Sequence, residues 1–168
     1  NENSGYVTGL VNISLRNLFG TGRAAAIKWN KYNRNSQELD LKYLEPWFLG
    51  FPVNINLSLN QRVQDTTYVQ RKLEGALEYL ATEDISGSVM VATETVVPTV
   101  RTNPVFTVYN SSYITTGLNL KIDTRDDPYS PTEGILFINS YAFTKKSING
   151  PAEYIIPTLE TSINLQRF

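Results

Sequence analysis

Asp123-Thr124-Arg125-Asp126-Asp127-Pro128-Tyr129-Ser130-Pro131-Thr132-Glu133-Gly134 is the most polar and most turn-rich stretch of the chain. Asp before Pro favours a turn, Pro131 fixes φ, and Gly134 tolerates conformations closed to other residues. On each side lies a run that alternates apolar and polar residues, Ile114 to Ile122 before it and Ile135 to Phe143 after it. Alternation of period two is the mark of a strand with one apolar face. The stretch therefore reads as a turn between two antiparallel strands.

The same plan repeats along the chain. Strands are predicted at Tyr6 to Arg16, Arg23 to Tyr32, Gln37 to Glu45, Val53 to Arg62 and Tyr68 to Leu80. Four more follow at Ser88 to Val97, Tyr113 to Asp123, Gly134 to Thr144 and Pro157 to Gln166. Val53, Ile55, Leu57 and Leu59 against Asn54, Asn56, Ser58 and Asn60 give the clearest alternation. Arg71 to Leu80 alone also fits a helix, because Leu73, Leu77 and Leu80 recur at helical spacing. Its neighbours and the mid-run Gly75 favour a strand. The turns are predicted at Asn17 to Gly22, Asn33 to Ser36, Pro46 to Pro52, Gln64 to Thr67, Thr82 to Gly87, Pro98 to Asn110, Arg125 to Gly134 and Lys145 to Pro151. The result is one meander of about nine strands, a single domain over residues 1–168 with no linker.

Composition narrows the chemistry. There are 168 residues, no histidine, no cysteine and a net charge of -1. Thiolate chemistry and disulfides are excluded, the commonest general base is missing, and no basic excess points to nucleic acid. Asp123, Asp126, Asp127 and Glu133 invite a metal or catalytic reading, but their spacing matches no EF-hand calcium loop. Gly20-Thr21-Gly22-Arg23 is followed by no helix and so is no phosphate loop. No enzyme activity and no cofactor are expected.

A soluble sheet can also alternate, so the solvent of the apolar face has to be argued. The predicted strands are long: soluble strands run about five or six residues, and membrane-barrel strands about nine to eleven. The polar faces mix both signs, with Arg16, Lys28, Glu38, Asp40, Lys42, Lys72, Glu74, Glu78, Lys121 and Asp123, as a watered lumen allows. The apolar faces are nearly free of charge, Arg71 excepted. Tyr6, Phe19, Trp47, Phe48, Phe51, Tyr68, Tyr79, Tyr113 and Tyr129 gather near strand ends, where interfacial girdles sit. The expected fold is all-β, an antiparallel up-and-down transmembrane β-barrel.

Three turn motifs carry a resemblance. Asn17-Leu18-Phe19-Gly20-Thr21-Gly22-Arg23, then Leu44-Glu45-Pro46-Trp47-Phe48, then Asp123-Thr124-Arg125-Asp126 with Pro131-Thr132-Glu133-Gly134 come in this order. Together they resemble the barrel of the outer-membrane insertases, the bacterial surface-antigen superfamily that includes BamA, TamA and the organellar Sam and Toc channels. The resemblance spans nearly the whole chain but covers only the first half or so of a larger barrel of about sixteen strands, beginning near the second. It implies localisation in the bacterial outer membrane, with the motif turns on the periplasmic side beneath soluble POTRA domains. It implies insertion and folding of other β-barrel proteins. The implied partners are outer-membrane lipid, unfolded β-barrel clients, and periplasmic assembly lipoproteins or chaperones. A related barrel that exports a passenger protein, and a porin- or receptor-type barrel, stay open. Phe168 falls on the face opposite Leu159, Ile163 and Leu165 and reads as a break in that phase.

Overall fold

The computed structural model describes residues 7–65, 67–99, 108–150 and 153–168. The described residues form nine strands: β1 Gly9–Leu18, β2 Arg23–Lys31, β3 Gln37–Glu45, β4 Val53–Gln64, β5 Tyr68–Leu80, β6 Ile85–Pro98, β7 Asn110–Asp123, β8 Ile135–Asn149 and β9 Glu153–Arg167. They form one antiparallel sheet in chain order, β1 to β9, each strand bonded to its sequence neighbours. A 3-10 turn, Phe48–Gly50, lies between β3 and β4. β5 is a strand throughout, so the helical spacing of its leucines is incidental.

The register sorts the side chains onto two faces. One row runs Ile13, Ile27, Leu41, Leu59 and Leu73, and another continues Val89, Leu118, Tyr141 and Thr161. The opposite face carries Lys28, Asp40, Asn60, Lys72 and Glu94 side by side on β2 to β6. Neither face is covered by a second layer. Among the described residues Ala92 is the sole buried hydrophobic, 3% exposed, while Leu159 and Ile163 are about 70% exposed. A sheet this apolar on one side has no aqueous core to bury it. Strands of 9 to 15 residues are also long enough to cross a bilayer. The sheet is part of a transmembrane barrel wall, its apolar face turned to lipid and its charged face to the lumen.

Several strand ends differ from the sequence expectation. β6 begins at Ile85, so Ile85 to Gly87 belong to the strand and the turn is only 81–84. β7 begins at Asn110. Lys145 to Asn149, expected as loop, extend β8 and pair with Glu153 to Pro157 of β9. β1 instead starts later than expected, at Gly9, and runs on to Leu18. The reason is common to the extended ends. Toward the strand ends, at headgroup level, the outward face is no longer purely apolar, so the alternation that marks a strand fades while the backbone ladder continues. Pro157 lies within β9, opposite Lys145. Tyr113 is not at a strand end. It lies inside β7 on the charged face, with Lys146 Nζ 4.9 Å from its ring centroid. Tyr6, Pro151 and most of the loop expected at Pro98 to Asn110 lie outside the described residues.

Candidate functional site: the motif end of the sheet

All three motif turns close the same end of the sheet. In the first, β1 bulges between Leu15 and Leu18 and the chain turns through four residues of positive φ. These are Asn17 (54°), Phe19 (56°), Gly20 (73°) and Gly22 (76°). Asn17 tolerates this because its short side chain bonds locally. Its Oδ1 accepts from Gly22 N at 2.8 Å, and its carbonyl accepts from Gly20 N at 3.0 Å. Phe19 is left 91% exposed, which places an aromatic ring outside the strands at the rim.

The first and second motifs meet. Ala24 pairs with Leu44, which sets Arg23 opposite Glu45 at the ends of β2 and β3. Arg23 Nε donates to both carboxylate oxygens of Glu45, at 2.8 and 2.9 Å, and Tyr43 donates its hydroxyl to Glu45 Oε2 at 2.5 Å. These three lie on the lipid-facing side, at its edge, where a paired charge costs little. A Cβ on Gly22 would come within 3.3 Å of Pro46 Cγ, so the two turns also abut sterically.

The second turn, 46–52, holds Trp47 (φ 50°) and Leu49 (φ 54°) in left-handed conformations, with Gly50 at 82°. Trp47 N donates to Asn54 Oδ1 at 3.3 Å. Asn54 Nδ2 donates in turn to Glu78 at 3.1 Å, and Ser86 donates to the other oxygen of Glu78 at 3.1 Å. This chain of polar contacts ties the turn to β5 and β6. The motifs did not contain it, although Asn54 opposite Glu78 follows from the alternation once the register is known. Trp47, Phe48 and Phe51 are all exposed.

The third motif stands apart from the other two, across β5 and β6. Arg125 lies against Asp123, not Asp126. Its Nε and Nη2 donate to Oδ1 and Oδ2 at 2.7 and 2.9 Å, and its Nη1 donates to Pro128 O at 3.0 Å. This bidentate contact holds the Arg125 guanidinium firmly in its charged form. Lys121 Nζ is 3.0 Å from Asp123 Oδ2. Asp126 accepts from Thr132 N (2.9 Å), Thr132 Oγ1 (2.5 Å) and Glu133 N (3.3 Å). Those bonds favour the ionised carboxylate and hold Asp126 down at about 2. Asp127 accepts from Tyr129 N at 2.7 Å and Ser130 N at 3.2 Å, an Asx turn across Pro128. Gly134 sits at φ 114°, where a Cβ would stand 2.4 Å from Thr124 O. Phe168 N donates to Gly134 O at 3.0 Å, bonding the end of β9 to this turn. The acids therefore serve separate partners, and no three of them gather into a metal cluster among the described residues. Pro131 lies within this loop.

The three turns thus share two structural devices, backbone at positive φ and rim carboxylates engaged by arginine. The model of the Omp85 superfamily domain matches residues 17–165. Searches of the curated proteins and of the solved structures each found no match. The family match begins at the first motif turn and runs into β9, so it covers all three motif turns and the strands between them. With its nine-stranded up-and-down sheet and its lipid-facing side, the chain belongs to the Omp85 superfamily of outer-membrane β-barrel proteins.

Proposed function

We propose that this barrel wall serves an insertase, a non-enzymatic outer-membrane assembly factor that folds other β-barrel proteins into the bilayer. The observation that carries the reading is the ordered set of three motif turns at one end of a sheet matched by the family over residues 17–165. On this reading the motif end is periplasmic, beside assembly lipoproteins or chaperones that deliver unfolded clients. The mechanism is templating: an incoming strand pairs with a barrel edge, because unpaired N–H and C=O groups are not tolerated in lipid and seek a partner strand. No residue of this chain is assigned to that edge. Neither a cofactor nor a nucleophile is required, since the chemistry is exchange of hydrogen bonds.

Depletion of the protein in its own cells is the test. An insertase predicts a broad fall in folded outer-membrane barrels and accumulation of their unfolded forms in the periplasm. Loss of one secreted passenger with all other barrels intact would instead assign the related export function and overturn the insertase reading.

A further inference from the structure

The lipid-facing side between β4 and β8 carries two cations and no acidic side chain. Arg71 follows the first residue of β5, Tyr68, by three places. Lys145 precedes the last residue of β8, Asn149, by four. Both strand ends are at the loop end of the sheet, away from the motif turns, so the two cations lie toward the same leaflet. Both side chains are exposed.

The row of Arg71 is polar throughout β4 to β8, on a face whose other rows are dominated by apolar side chains. Gln61, Arg71, Thr95, Ser112 and Ser147 fall in one register row across β4 to β8. Lys145 stands one row nearer the motif end, opposite Ile114. Three strand spacings separate the cations, about 14 Å across the sheet and about 7 Å along it. Long, flexible side chains can narrow that gap to the width of one headgroup.

On the lumen face the neighbouring cations are partnered within the sheet, which points to an external ligand for these two. There, the adjacent Lys72 pairs with Glu74 at 2.9 Å, and the adjacent Lys146 lies over the Tyr113 ring. Outward-facing Arg71 meets only a neutral oxygen: its Nε and Nη2 donate to Gln61 Oε1 at 3.3 and 3.2 Å. That contact fixes the plane of the guanidinium and leaves three of its five N–H groups unpartnered among the described residues. Neither outward cation has a carboxylate partner among those residues. A lone cation on a lipid face is costly at the midplane and nearly free at the interface, where it can reach phosphate.

We propose that Arg71 and Lys145, with the hydroxyls of Thr95 and Ser112 between them, form a two-point site for a membrane amphiphile whose headgroup bears two phosphates. The site lies in the leaflet on the loop side of the barrel. The proposal rests on the membrane-barrel reading of the family and not on the insertase reading. Its test uses the whole protein in phosphatidylcholine nanodiscs, offered diphosphoryl or monophosphoryl lipid A and analysed by native mass spectrometry. The diphosphoryl lipid should be preferred roughly fivefold, about what one cation contributes near an anionic surface. R71Q and K145Q should each abolish the preference, R71K should keep it, and the lumen-facing K72Q and K146Q should leave it unchanged. Equal uptake of the two lipids by the wild type would overturn the proposal. So would an equal loss in K72Q or K146Q, or full competition by inorganic phosphate. Heat-modifiable gel mobility separates the two levels of failure. A folded, inserted barrel without lipid preference refutes this site alone, whereas a protein that never inserts refutes the membrane reading beneath it.

Discussion

The two ends of the sheet are closed by different chemistry. At the motif end the chain turns through positive φ at Asn17, Phe19, Gly20, Gly22, Trp47, Leu49, Gly50 and Gly134. There Arg23 is set on Glu45 and Arg125 on Asp123. At the loop end Asp65 alone among the described residues has positive φ (46°), and the described contacts are mostly amide and hydroxyl bonds. Asn33 Oδ1 accepts from Asn35 N and Ser36 N at 2.9 and 2.8 Å. Ser36 Oγ accepts from Asp65 N at 2.9 Å, joining one loop to the next. The motif end is determined by conformations and ion pairs that few residue types can supply. The loop end is closed by short polar side chains that substitute for one another more freely.

The sharpest way to break this contrast is at Gly134. A methyl group there meets Thr124 O at 2.4 Å and Arg125 Cα at 2.7 Å, both backbone. Nothing at the far end of a flexible side chain can give way. Gly134→Ala is expected to cost about 3 kcal/mol or more in urea unfolding followed by gel mobility. Gly20→Ala, with φ 73° and open space around it, should cost only about 1 to 2 kcal/mol. Equal costs would mean that close approach does not matter at the third turn.

Next in size is the rim carboxylate. Asp123 and Arg125 are each 15% exposed in their side chains, against 38% and 20% for Arg23 and Glu45. Asp123→Asn keeps the shape, removes the charge, and weakens the contacts to Arg125 and Lys121. It is expected to lower stability by about 1 to 2 kcal/mol. Arg23→Gln, in the more solvated pair, should have the smaller effect in the same assay. The reverse order would show that exposure does not rank these two pairs.

At the loop end, Ser36 is only 5% exposed and bridges two hairpins. Ser36→Ala leaves Asp65 N without its acceptor, for an expected loss of about 1 kcal/mol. Ser36→Thr should recover most of it. Amide hydrogen exchange at Asp65 checks the mechanism, since it should accelerate in the alanine variant and not in the threonine variant.

These two ends also explain what could be read from the amino acids. The strands were legible wherever one face meets lipid and the other water, as from Val53 to Leu59, because the two solvents write the period into the sequence. The motif turns were legible because positive φ and paired charges narrow the choice of residue. Legibility failed toward the strand ends, where the outward face is no longer purely apolar. Lys145 to Asn149 read as loop, and so the cation on the lipid face of β8 was not foreseen. The sequence alone does not say whether Arg125 takes Asp123 or Asp126, and only the turn's own hydrogen bonds decide. Asp126 is already occupied by Thr132 and Glu133.

That occupation yields the smallest effect, carried by proton linkage. The bonds from Thr132 and Glu133 hold folded Asp126 at about 2, below the ordinary aspartate value of 3.8 to which the unfolded chain returns. Above roughly pH 4 the side chain is ionised in both states, and its stabilising contribution is present in full. As pH falls from about 4 toward 2 the unfolded chain takes up the proton first, so the contribution drains away. Other carboxylates titrate over the same window, and a single profile would mix them. The difference in urea midpoint between wild type and Asp126→Asn cancels their share, because asparagine binds no proton. That difference should be constant above pH 4 and shrink steadily toward pH 2. A difference that does not change with pH would show that Thr132 and Glu133 recognise the shape of residue 126 and not its charge. The third turn would then be closed by neutral bonds, as the loop end is, and the contrast between the two ends would rest on Arg125 and Arg23 alone.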